Sequence, residues 1–339
     1  MDTLIDAFAN VQAALYENWL QPLAFALGLG SRLEDVFNGT GWLLVGLIQL
    51  LVMLLVIEPL QRWRPVESVT NSAAVRTDVM YTLIHRLGLF RIALFFTIDP
   101  VMDDLLGHLR TAGMGTFHLE DLWPGVTDGA WASFLMYLVV FDFLGYWLHR
   151  AQHQWHWWWA LHAVHHSQRQ MTQWTDNRNH LLDDLIGAVI WVLVAQLIGI
   201  APSQFVAVVA ITQLSENFQH ANLAISFGRW GEWLWVSPRF HRLHHGVGIG
   251  HERGRPAQQS VPASASSAEA STSYELGGHN FGVLLPWWDV LFGTADFSPR
   301  FEPTGIRDQV ALGRDYGEGF WAQQKLGLQR LISALRSAP

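Results

Sequence analysis

The apolar positions of this chain fall in long unbroken blocks, not in the three- and four-residue spacing of a soluble amphipathic helix. The longest, "GWLLVGLIQLLVMLLVIEPL" (41–60), carries no charge before Glu58. About 20 apolar residues in a helix cross the hydrocarbon of a bilayer, so the block predicts a transmembrane span. Arg62 and Arg64 follow at once, and the positive-inside tendency turns that end toward the cytoplasm. A second block, "WASFLMYLVVFDFLGYWL" (131–148), holds one charge, Asp142, and predicts another span. Residues 185–214 are apolar but interrupted at Gly199 and Pro202, the pattern of a helical hairpin. The stretch 78–99 contains His85, Arg86 and Arg91; a span, a re-entrant hairpin and an interfacial helix all fit it. Residues 13–29 form a weaker block compatible with a surface helix. Tryptophans collect at block ends (Trp42, Trp131, Trp147, Trp155, Trp287), where membrane–water interfaces concentrate them. The fold expected is an all-α integral membrane protein of about four or more transmembrane or re-entrant helices, carrying a helical, histidine-rich cytosolic cap.

Composition agrees. The chain of 339 residues is 50% hydrophobic and only 15% charged, against about 25% charged in soluble domains. A net charge of −8 without a basic stripe excludes a nucleic-acid partner. The absence of cysteine removes disulfides, iron–sulfur clusters, thiolate zinc sites and thiol nucleophiles. The opening "MDTLIDAFAN" has no cationic stretch, so no cleavable signal peptide is expected. Residues 253–277, rich in Ser, Ala and Pro, read as a disordered insertion in a cytoplasmic loop. The expected organisation is N-terminal membrane helices over 1–130, a histidine-bearing domain over 131–296 and a C-terminal tail over 297–339.

The histidines change the picture most. Eleven of the 16 lie between His149 and His245, more than twice what an even spread gives. "HRAQH" (149–153) has i, i+4 spacing; "HAVHH" (162–166) and "HRLHH" (241–245) both have i, i+3, i+4 spacing, each set on one helix face. The apolar hairpin between them returns the chain to its starting side, so that distant boxes can meet. Neutral imidazole is the commonest metal ligand and suits iron, zinc, copper and nickel. With His220 the boxes offer nine nitrogens, too many for one ion and suited to two with four or five each. Isolated histidines such as His85, His108, His118 and His156 read as packing or interfacial residues.

Together "HRAQH", "HAVHH", "FQHANL" (218–223) and "HRLHH" resemble the fatty acid hydroxylase / sterol desaturase superfamily of membrane non-haem di-iron oxygenases. "FDFLGYWLHRAQH" (141–153) and "HNFGVLLPWWDVLFGT" (279–294) resemble the lead-in and closing signatures of that family. The resemblance covers about 135–295. It implies two iron ions, O2 as co-substrate, a lipid C–H bond as target, and His149, His153, His162, His165, His166, His220, His241, His244 and His245 as ligands. Glu216 stands where several relatives have a further ligand, and His180 and His279 are candidate additional ligands. Asp142 and Asp289 are candidate carboxylates behind the ligands, each fixing an imidazole tautomer by accepting its second N–H.

No haem or flavin motif is present, so electrons would come from an external ferredoxin-, rubredoxin- or cytochrome-type donor. The expected substrate is a membrane lipid, for which bacterial relatives suggest an ornithine lipid, and the expected location is a bacterial inner membrane with the boxes facing the cytoplasm. Hydroxylation and desaturation remain alternatives, as do sterol or carotenoid substrates. A histidine-rich metal transporter or chaperone is a rival of another class, although transporters place ligands on broken helices near the bilayer midplane. A di-zinc hydrolase lacks its HExxH-type signature here.

Overall fold

The computed structural model describes residues 2–253 and 275–336. Helices α1 (Asp2–Leu15), α2 (Gln21–Ala26) and α3 (Leu33–Val52) open the chain, and a wide turn over Met53–Ile57 carries α3 into α4 (Glu58–Trp63). Then follow α5 (Ser72–Arg86), α6 (Leu89–Thr97) and α7 (Asp99–Thr111). The helical rod Gly30–Trp63 contains the longest apolar block and is long enough to cross a membrane; Ala130–Gln154 and Leu181–Ile198 are too. The 78–99 stretch is a broken element, with α5 and α6 meeting at 52°. Residues 13–29, expected as one weak surface helix, belong to α1 and α2 joined through a wide turn at Tyr16–Leu20.

Two compact units emerge. One comprises the residues up to Leu54 together with Leu83–Met114; the other comprises Leu55–Thr82 and everything from Gly115 onward. The first is purely helical, with α1 and α2 packed along α3 and α6 against α7.

The second unit carries all the histidine boxes. Among its helices, those around the boxes are α8 (Ala130–Gln154), α9 (His156–His166), α10 (Leu181–Ile198), α11 (Pro202–Gln219), α12 (Gly228–Leu234) and α13 (Pro238–His244). Local signals set their ends. Trp155 is extended, so α8 stops and α9 begins in a new direction. Gly199, in the left-handed region at φ 69°, ends α10, and Pro202 opens α11, the Gly-stop, Pro-start pattern that makes the hairpin. Ser237 caps α13 by accepting from the Phe240 N–H, with Pro238 in the first turn.

The core joins α8, α10 and α11 to the closing segment. Tyr137, Leu138, Phe141, Ala195 and Val208 pack with Val283, Leu284 and Leu285. Within the stretch read as a tail, the described residues 297–336 include a helix that packs back on α9. Leu331 of the C-terminal helix Phe320–Arg336 packs on Ala160 and Leu161 of α9, and Gln324 accepts from the Leu181 N–H at 2.9 Å.

The expected insertion 253–277 falls mainly on 254–274, outside the described residues. Its flanks, β1 (Glu252–Arg253) and β2 (Glu275–Leu276), pair antiparallel with Glu252 opposite Leu276. Among the described residues, that two-residue ladder is the one sheet in an otherwise helical chain.

Candidate metal centre

All nine box histidines come together, in two groups. His149, His153, His162, His166 and His244 form one cluster and His165, His220, His241 and His245 the other; within each, the candidate ligand atoms lie within 4.8 Å of one another. Each triplet divides. His162 and His166 serve the first cluster and His165 the second, whereas His241 and His245 serve the second and His244 the first.

Hydrogen bonds settle the tautomers. His149 Nδ1 donates to the Phe281 carbonyl at 3.0 Å, His244 Nδ1 to the His279 carbonyl at 2.8 Å and His220 Nδ1 to the Glu216 carbonyl at 2.7 Å. His162 Nδ1 donates to Asp183 Oδ2 at 3.1 Å. An imidazole whose Nδ1 carries the hydrogen presents a bare lone pair at Nε2. In the second cluster the Nε2 atoms meet at 3.1 Å (His165–His220), 3.0 Å (His220–His241) and 3.2 Å (His241–His245). Two nitrogens bound at about 2.1 Å to one ion stand about 3.0 Å apart at a right angle and about 3.4 Å apart in a tetrahedron.

The residues fit a metal on a further count. His162 Nε2, His244 Nε2 and both ring nitrogens of His153 and His166 are buried without a hydrogen-bond partner. Each such atom costs about 1–3 kcal/mol if left unmet, and a cation at the focus satisfies one nitrogen of each of these four rings together. Burial holds His165, His166, His241, His244 and His245 well below the usual imidazole pKa. Burial also pushes His220 down to about 4, against the pull of its Glu216 carbonyl bond. Neutral rings are the form that ligates.

The three additional candidates take other roles. Glu216 and His279 lie outside both clusters and contribute their main-chain carbonyls as acceptors for His220 and His244. His180 caps α10, its Nδ1 accepting from the Leu182 N–H at 3.1 Å while its Nε2 donates to the Gln324 carbonyl at 2.9 Å. With both nitrogens engaged it has none for a metal.

The two expected carboxylates are corrected likewise. Asp142 accepts from the Leu284 N–H at 2.7 Å and the Trp288 indole at 2.8 Å, not from His149. Asp289 accepts from the Phe281 and Gly282 N–H groups at 2.9 and 2.7 Å and from Thr294 at 2.6 Å, and burial pushes it up to about 6. Both brace the closing segment, whose Phe281 carbonyl then meets His149.

A carboxylate within hydrogen-bond distance of a box histidine is Asp183, at 3.1 Å from His162; sequence reading missed it. Its Oδ1 also accepts from Gln152 at 2.8 Å and Trp158 at 2.6 Å. The signal was visible as two adjacent acids, Asp183 and Asp184, heading an apolar block. His251 was missed too; fully buried, it stacks on Trp159 with ring centroids 5.1 Å apart. It follows the last box at no repeating spacing, so nothing in the pattern marked it.

The fold and site define a helical membrane protein with a buried two-cluster polyhistidine centre. Residues 134–253, about a third of the chain, match the family model described as Fatty acid hydroxylase. Ornithine lipid hydroxylase OlsE from Rhizobium tropici is 26% identical over 238 residues, 70% of this chain and 62% of that protein. Alkylglycerol monooxygenase from Xenopus tropicalis is 31% identical over 213 residues, 62% of this chain and 43% of that protein. The Danio rerio alkylglycerol monooxygenase is 32% identical over 185 residues, 54% and 34% of the two chains. The chain thus spans less than two thirds of the length of these relatives. No solved structure matches.

Proposed function

We propose that this protein is an O2-dependent membrane lipid hydroxylase working with two iron ions, one in each histidine cluster. The observation that carries the reading is the set of nine converging imidazoles, four of them with Nδ1 tied back and Nε2 bare. Iron suits nitrogen-rich sites of this kind, and when bound it would supply the activation of O2 that breaking an unactivated C–H bond requires. The protein's own residues do the rest. The nine imidazoles hold the ions; Asp183 and the Phe281, His279 and Glu216 carbonyls orient four of those rings. Asp142 and Asp289 clamp the closing segment over the centre, keeping bulk water out.

The reaction balances as lipid R–H, O2, two electrons and two protons giving R–OH and water. The electrons come from a separate carrier of ferredoxin, rubredoxin or cytochrome type. The relatives, an ornithine lipid hydroxylase and an alkylglycerol monooxygenase, favour hydroxylation over desaturation and a membrane lipid, such as an ornithine lipid, as substrate. His149 and His153 ride the end of the candidate span Ala130–Gln154, which suits a substrate presented at the bilayer surface. Arg62 and Arg64, at the end of Gly30–Trp63, favour boxes facing the cytoplasm of a bacterial inner membrane.

The test compares lipid extracts from cells expressing the full chain or its His244→Ala variant under isotopically labelled O2. One labelled oxygen atom should enter a membrane lipid with the native chain and none with the variant. Metal crossing the membrane while lipids stay unchanged would favour the transporter reading and overturn this one.

A further inference from the structure

We propose that the two clusters are unequal: the five-imidazole cluster takes a metal ion first and retains it, and the four-imidazole cluster takes a second, more weakly held ion that keeps an open position for a small exogenous ligand. The inference rests on the metal-centre reading above and concerns how this chain's own residues divide the work.

Two independent features point the same way. The first is number, five converging nitrogens against four. For an ion that accepts five donors, the larger set is complete and the smaller leaves about one position unfilled. The Glu216 carboxylate is not among the converging groups, and its carbonyl is engaged by His220.

The second feature is preorganisation. In the larger cluster, His149, His162 and His244 each have Nδ1 held by an acceptor. Those acceptors are themselves braced: Asp289 fixes the Phe281 and Gly282 amides, and Gln152 and Trp158 fix Asp183. In the smaller cluster only His220 is held in this way, by the Glu216 carbonyl, with Asp176 Oδ1 at 3.6 Å. The Nδ1 atoms of His165, His241 and His245 are buried with no partner. A ring with a fixed tautomer loses less freedom on binding and is the better donor, and removing such partners weakens metal sites about 10–100-fold. Three anchored rings of five therefore outbind one of four.

The test uses the full-length protein in detergent, stripped with a chelator and titrated with Co2+ as the probe, read by visible absorption and by bound stoichiometry. Two equivalents should bind in two phases, the second about ten-fold or more weaker. Azide should alter the spectrum only after the second phase. His220→Ala should lose the weak phase and keep the tight one. His153→Ala should lose the tight phase; if that variant does not fold, the native titration and the azide response still decide. Two equivalents of equal affinity, a single equivalent, or an azide response at the first phase would overturn the inference while leaving a metal centre in place. No uptake at all would overturn the metal-centre reading and the inference with it.

Discussion

Replacing Asp183 by Asn changes one atom of the side chain and separates metal tuning from folding. Asp183 is 2% exposed, and its two oxygens carry different loads. Oδ1 accepts from both Gln152 and Trp158, and Oδ2 accepts from His162 Nδ1 alone. An asparagine in the same place keeps its carbonyl where two donors converge, because the reverse orientation would set its NH2 group against both. The NH2 then faces His162 Nδ1, donor against donor. His162 relieves the conflict by moving its hydrogen to Nε2, and a protonated Nε2 cannot ligate. The expected cost is one ligand and its backing carboxylate in the five-imidazole cluster, about 10–100-fold in metal affinity, or about 1.4–2.7 kcal/mol. The fold should survive, since the two bonds at Oδ1 persist. Asp183→Ala, by contrast, strands three buried donors at about 1–3 kcal/mol each and should lower the melting temperature markedly. Competition against a calibrated chelator gives the affinity, and a thermal melt gives the stability. An Asp183→Asn protein that binds metal as tightly as the native chain would refute the tautomer argument.

Three further substitutions probe the support around the clusters. Asp142→Asn puts an NH2 group against either the Leu284 amide or the Trp288 indole; melts should show a loss of about 1–3 kcal/mol with metal content retained, because Asp142 touches no box histidine. His180→Ala removes the α10 cap and the bond to Gln324; it should cost about 1 kcal/mol in the same assay, and it also should leave bound metal at the native level. Gly250→Ala would set a Cβ 1.4 Å from the His244 carbonyl oxygen; the displaced α13 end should lower bound metal, and full metal content in a well-folded Gly250→Ala protein would sink the claim that this close approach positions His244.

What the sequence revealed and what it concealed divide along the range of the interactions. The boxes were legible because i, i+3, i+4 spacing is local, and the hairpin because Gly199 and Pro202 announce its break. The Nδ1 acceptors were not, since three of the four are main-chain carbonyls, of Phe281, His279 and Glu216, and a carbonyl has no residue signature. The expected roles of Asp142 and Asp289 failed for a related reason. Sequence placed Asp142 on the His149 side of α8 but could not show that the Leu284 amide, 142 residues away, would claim it first. The C-terminal helix was missed although Leu328, Leu331, Ile332 and Leu335 carry helical spacing; without a motif, that signal went unused.

The repeated triplet now has a geometric explanation. A helix turns about 100° per residue, so i and i+4 point within about 40° of each other, whereas i+3 points about 100° away from i+4. One H-x-x-H-H triplet therefore addresses two points: its outer pair reaches one focus and its middle member the other. Two such triplets used in opposite senses, with His162 and His166 facing the focus that receives His244, and His241 and His245 facing the one that receives His165, supply three nitrogens to each. The α8 pair His149 and His153 raises the first set to five, and His220, at the end of α11, raises the second to four. The imbalance thus arises outside the triplets, from a helix face that gives two rings and a helix end that gives one.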